Sequence, residues 1–184
     1  MDVRSRILAA VASCTLLLTA CGSLPPPSSS ATASNGPGDF RLVAYQGTEV
    51  FGGKQSHFAA VFDQGKPVVL NFWAGLCPPC RAEMPGFQKV STELSGQVLF
   101  VGIDIGPFVD LGNHQDAVNL YTQLGIHYPL AYAVDSAPLQ IYRVQGMPTT
   151  VFLSSSGRVV DQETGILTEN QLRTIIQKKL LAGG

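Results

Sequence analysis

The sequence predicts an α/β domain in which two cysteines stand where a buried central strand hands over to a helix. Three observations lead there. Residues 67–73, Pro-Val-Val-Leu-Asn-Phe-Trp, make an apolar run of strand length, with the character of a strand covered on both faces. After it, segments of strand and helix character alternate, and the chain closes with a hairpin and a helix. Pro78 and Pro79, between Cys77 and Cys80, suit the first turn of a helix, where a missing N–H costs nothing.

The N-terminal part reads as export and tethering. Arg4 and Arg6 precede an apolar run, Ile7 to Thr19, which fits the core of an export signal and is short for a membrane span. The run ends in Leu18-Thr19-Ala20-Cys21, which resembles the bacterial lipobox, where small residues precede a cysteine that takes lipid and becomes the mature N-terminus. An ordinary cleaved signal with a chance cysteine fits the same junction. The reading is therefore a lipoprotein signal over 1–20, lipid on Cys21, and a Ser/Pro-rich tether over 21–38 too poor in large apolar side chains to fold. It places the domain on the outer face of a bacterial cytoplasmic membrane or facing the periplasm. Gly22 rather than Asp follows the cysteine, so retention at an inner membrane is not signalled.

Residues 39–184 have the length and composition of one domain able to bury a core without disulfide staples. With a formal net charge of −1 and no basic run, nucleic acid is not an expected partner. In chain order, Phe40–Phe51 suggests a short hairpin, Ser56–Phe62 a helix, 67–73 the central strand and Ala74–Leu76 a turn. The helix opening at Pro78 should kink near Arg81 because of Pro85, with Gly86 easing the bend. Gln97–Gly106 reads as a second buried strand, Asn113–Gly125 as an amphipathic helix ended by its glycine, and Tyr128–Asp135 as a further strand. Gly146–Val160 reads as a strand, a Ser-Gly turn and an antiparallel partner, and Thr168 as the N-cap of a last helix reaching Leu181. Phe72 and Trp73 read as packing residues, and His57, His114 and His127 as surface residues.

Of the four cysteines, Cys14 lies in the signal and Cys21 is assigned to lipid, which leaves Cys77 and Cys80 to the domain. A staple between residues three apart closes a very small loop and stabilises little. Zinc would need two further ligands from the histidines or carboxylates, none at metal spacing, so no metal or cofactor is expected. For electron exchange the placement is favourable. A helix N-terminus favours a thiolate, making Cys77 the nucleophile. Cys80, one turn in, has its Cα about 5 to 5.5 Å away, within disulfide reach, and can resolve a mixed disulfide.

Asn71-Phe72-Trp73-Ala74-Gly75-Leu76-Cys77-Pro78-Pro79-Cys80-Arg81-Ala82-Glu83-Met84-Pro85, with Gly146-Met147-Pro148-Thr149-Thr150 some seventy residues on, resembles the thioredoxin superfamily and within it the TlpA/ResA-like membrane-anchored thiol–disulfide oxidoreductases. The similarity runs from about Asp39 to Leu181. It implies a central mixed sheet flanked by helices, with an N-terminal β-hairpin and a helix–strand insertion between the two halves. It also implies a cis peptide before Pro148, packed against the cysteines, and a substrate groove lined by Leu76, Met147 and Pro148. The activity implied is reduction of disulfides in exported proteins such as apocytochromes c, served by a membrane electron donor or acceptor. Oxidation of such proteins, a thiol peroxidase and a non-catalytic binding lipoprotein are the alternatives. Leu76 stands where the family usually has Trp, and Asn71 where typical thioredoxins bury an acid. Glu83, three positions after Cys80, is the candidate base in its place, with an ordinary solvated helix-surface glutamate as the alternative.

Overall fold

A computed structural model describes residues 38–182 of the chain. The signal, Cys21 and almost all of the tether lie outside the described residues.

The elements run β1 (Arg41–Gln46), β2 (Gln55–His57), a 3-10 turn (Phe58–Gln64), β3 (Val68–Trp73), α1 (Pro78–Glu93), β4 (Leu99–Asp104), a short 3-10 turn (Gly106–Phe108), α2 (His114–Leu124), β5 (Leu130–Ala133), α3 (Ala137–Ile141), β6 (Thr149–Leu153), β7 (Val159–Thr164) and α4 (Glu169–Ile175), which continues as a wider π-type helix over Ile176–Leu181. The strands form one mixed sheet in the order β2-β1-β5-β4-β3-β6-β7. β3 lies inside it, parallel to β4 and antiparallel to β6, and every residue of β3 is buried. Burial on both faces explains its apolar sequence, since neither side meets water.

Each face of the sheet carries its own core. One holds Val69, Trp73, Phe100 and Leu130 under the buried stripe Cys80, Glu83, Met84, Phe87 and Val90 of α1, a spacing of three and four that keeps them on one side of the helix. The other packs Leu70, Phe72, Val101 and Ile103 against Phe40, Phe58 and Tyr142, with Phe40 and Phe58 stacked at 5.0 Å.

Local signals hold where they were read. Gly125 ends α2 in the left-handed conformation at φ 62°, and Thr168 caps α4 in a box with Gln171, whereas Asn113, expected as the first helical residue, is the N-cap of α2 in a reciprocal box with Asp116. Helix α1 is assigned continuously from Pro78 to Glu93 across Pro85, which lacks the N–H that would have bonded to the Arg81 carbonyl. Two expectations shift and one element is added. The partner of β1 is Gln55–His57, not part of Thr48–Phe51, because Val50 and Phe51 turn into the core instead of pairing. Phe58–Gln64 winds as 3-10, and α3 carries no signal strong enough to have been read.

Candidate active site

The carboxyl end of β3 delivers the chain into Ala74–Leu76 and then α1. Cys77 is the N-cap of α1, extended at φ −96°, ψ 104°, and its sulfur accepts the Cys80 N–H at 3.2 Å. A sulfur atom thus satisfies one of the helix's free N–H groups, at the end where the backbone dipoles favour negative charge. Cys77 and Cys80 are joined as a disulfide with Cα atoms 5.3 Å apart. Cys80 is fully enclosed and Cys77 only 2% exposed, so the pair is nearly closed to solvent. Leu76 beside it is 59% exposed.

Beneath the pair, Glu83 is buried in α1. One carboxylate oxygen accepts from the Asn71 side-chain amide at 2.8 Å and the other from the Leu167 N–H at 3.1 Å. Burial pushes its pKa up from 4.5 to about 7, against the lowering effect of the Leu167 and Asn71 bonds. Glu83 is therefore not a solvated surface residue. It sits one helical turn after Cys80 on the buried face of α1, and Asn71 reaches it from β3. Asn71 also donates to Thr150 at 3.2 Å, while its own carbonyl oxygen has no partner in the protein.

Across from β3, the Met147–Pro148 peptide is cis. Phe72 registers with Thr149, so Pro148 stands at the sheet end where Cys77 emerges. Pro148 is buried, Met147 is partly buried, and Gly165 donates its N–H to the Pro148 carbonyl at 2.8 Å. Leu76, Met147 and Pro148 thus share one end of the sheet with the cysteines.

One constellation escaped the sequence. Asp104, the fully buried last residue of β4, accepts from Tyr45 at 2.8 Å, from His114 Nδ1 at 3.0 Å and from the Gly106 N–H at 2.8 Å. His114, expected as a plain surface residue, is half-buried and lies 4.0 Å from the Tyr132 ring. His57 is likewise braced, by Asp39 at 2.9 Å. Neither pairing has a motif spacing, so no signal in the chain would have found them. Among the described residues no group of three or more His, Cys, Asp or Glu side chains is arranged to hold a metal ion.

Comparison with known proteins decides the family, since the Redoxin family profile matches residues 41–176. The chain belongs to the Redoxin family. Among curated relatives, the thiol–disulfide oxidoreductase ResA of Bacillus subtilis (strain 168) is 33% identical over 110 residues, 59% of each chain. The thioredoxin-like protein YneN of the same organism is 30% identical over 112 residues, 59% of this chain and 62% of its own. The matched stretch thus spans about three-fifths of these relatives' length. Among solved structures, StoA from Bacillus subtilis superposes with a TM-score of 0.60 at 21% identity, over 76% of this chain and 96% of its own. The exposed lipoprotein thioredoxin of Streptococcus pneumoniae strain TIGR4 gives 0.61 at 23% identity, over 76% and 98%. At such identities the likeness is one of fold, and it is the thioredoxin-like fold expected from the sequence.

Proposed function

We propose that this Redoxin-family protein is an extracytoplasmic thiol–disulfide oxidoreductase that reduces disulfides in exported proteins. The observation that carries the reading is a disulfide at a helix N-terminus, nearly closed to solvent, with a buried carboxyl one helical turn further along the same helix. The similarity to ResA supports it, and so does the lipobox-like junction at Cys21, which lies outside the described residues.

In the reduced protein, the Cys77 thiolate, stabilised by the helix N-terminus, attacks a substrate disulfide. One substrate thiolate leaves and a mixed disulfide forms on Cys77. Glu83 as carboxylate takes the proton of Cys80, directly or through one water. The Cys80 thiolate then attacks Cys77, expels the second substrate sulfur and restores the Cys77–Cys80 disulfide. Two electrons have passed to the substrate, and a membrane dithiol donor returns them. Met147, Pro148 and Leu76 form the groove in which the substrate chain lies. Among exported substrates, apocytochromes c follow from the ResA-like resemblance.

Two measurements test this. The protein with a dithiol donor should reduce insulin, and Cys77→Ser should abolish the activity; unchanged insulin reduction in that variant would end the proposal. Equilibration against a glutathione series should place the couple toward the reducing end of the range from about −270 to about −120 mV. A value at the oxidising end would reverse the direction and make the protein a disulfide donor.

A further inference from the structure

The turn Ala74–Leu76 that presents Cys77 does not stand alone. The loop Ile105–Asn113 and the first turn of α2 close on it. Leu76 donates its N–H to the Leu111 carbonyl at 2.9 Å, and Ile105 donates to the Trp73 carbonyl at 3.0 Å. Gly112, at φ +103°, lies so close to Leu76 that a Cβ there would come within 2.8 Å of the leucine Cγ. Gly75 faces the backbone of Asp116 and Ala117 at the start of α2, and a Cβ on it would overlap them. The turn and the loop are therefore packed backbone to backbone, and where the loop sits decides where Leu76 sits.

The loop is folded on itself by short-range bonds, Phe108 to Ile105 and Leu111 to Gly106, and its near end is held to the sheet by the Ile105 N–H on the Trp73 carbonyl and the Gly106 N–H on Asp104. The side-chain tie at its far end is His114. Tyr45 gives its hydroxyl hydrogen to Asp104, a carboxylate that only accepts, so the Nδ1 hydrogen of His114 is directed to Asp104 at 3.0 Å and to the Tyr45 oxygen at 3.1 Å. Asp104 registers with Trp73, the last residue of β3 before the active-site turn. The bond thus joins the start of α2 to the same sheet end from which Cys77 emerges.

We propose that His114 is a positioning residue for disulfide exchange with protein substrates: its bond to Asp104 holds the Ile105–Asn113 loop, and through it Leu76, in the place where a bulky disulfide must dock beside Cys77. This rests on the thiol–disulfide reading of the site. On this proposal a small disulfide reaches Cys77 without lying across Leu76 and is indifferent to the loop. A protein disulfide must lie across Leu76 and is not.

The test uses the full chain with His114→Ala and His114→Asn, the latter because its side-chain amide can put an N–H where Nδ1–H was. Hydrogen exchange at the Leu76 amide, which needs no activity, should quicken by about tenfold in His114→Ala and return close to wild type in His114→Asn. KM for insulin should rise by about five- to tenfold in His114→Ala with kcat little changed, and recover in His114→Asn. The rate with hydroxyethyl disulfide and the glutathione equilibrium should stay within about twofold of wild type in both variants. An unchanged Leu76 amide, a KM that does not move, or equal losses on the small and the protein disulfide would each overturn the proposal. If the wild type itself exchanges neither disulfide, the parent reading fails, and the amide measurement still decides whether His114 holds the turn.

Discussion

Replacing Glu83 by Gln separates the cost of a buried charge from its use. The rise in pKa from 4.5 to about 7 means that the folded protein binds a proton between those values which the unfolded chain releases. Stability supplied by the neutral carboxyl is therefore complete below about pH 4.5 and is lost as pH rises through about 7. At about 1.4 kcal/mol per tenfold, the change is of the order of 3 kcal/mol. Gln does not titrate. Its amide can be received by Asn71 turned over, whose carbonyl oxygen then also accepts from the Thr150 hydroxyl in place of the present amide-to-hydroxyl bond. That exchange of bonds adds a constant offset at all pH values. The difference in unfolding free energy, variant minus wild type, should accordingly grow by about 3 kcal/mol between pH 4 and pH 8. Urea unfolding of the oxidised forms at a series of pH values measures it, with the offset cancelling. The same substitution should slow the second phase of stopped-flow reaction with a disulfide by about 10²-fold or more near neutrality, and by less at alkaline pH where Cys80 ionises unaided. The first phase should hardly change. Parallel stability curves would mean that Glu83 titrates normally, and an unaltered second phase would remove it from the exchange.

Cys80→Ser should accumulate a mixed disulfide with substrate on Cys77, detected by mass mapping, whereas Cys77→Ser should accumulate none; adducts in both would cancel the division of roles. Asn71→Asp combined with Glu83→Gln places the acid on the other side of the 2.8 Å bond between the two side chains and should restore much of the second phase lost in Glu83→Gln, with failure showing that the position of the acid matters and not merely its presence. Gly125→Ala should cost about 1 kcal/mol in urea unfolding, since only its left-handed φ resists a side chain and nothing lies within 4 Å of the added Cβ. Cys21→Ala should abolish incorporation of labelled fatty acid, and unchanged labelling would withdraw the anchor.

What could be read from the chain was what neighbouring residues settle among themselves. A strand buried on both faces declares itself by having almost nothing polar in it, and β3 does. Caps act within four residues, so Gly125 and Thr168 were legible as letters. The cysteine pair was legible because a helix start and its prolines are contiguous with it. Glu83 shows where this ends. Its spacing from Cys80 was readable, but its burial depends on the Leu167 N–H, 84 positions away, and on Asn71 in a neighbouring element. Asp104, His114 and Tyr45 meet across 10 to 69 positions by way of sheet order and loop path, which no local pattern encodes. The hairpin misplaced its second strand for a related reason: apolar Val50 and Phe51 look like strand residues whether they pair or plug a core, and only the opposite face of the sheet decides. Asn71, where typical thioredoxins bury an acid, and the glutamate found buried at 83 meet in one hydrogen bond of 2.8 Å. An asparagine at 71 leaves a buried amide in place of an acid, and a glutamate at 83 brings the acid back from the helix onto that same amide. The buried carboxyl of this chain sits on α1, held from β3 by Asn71 and from the far end of the chain by the Leu167 N–H.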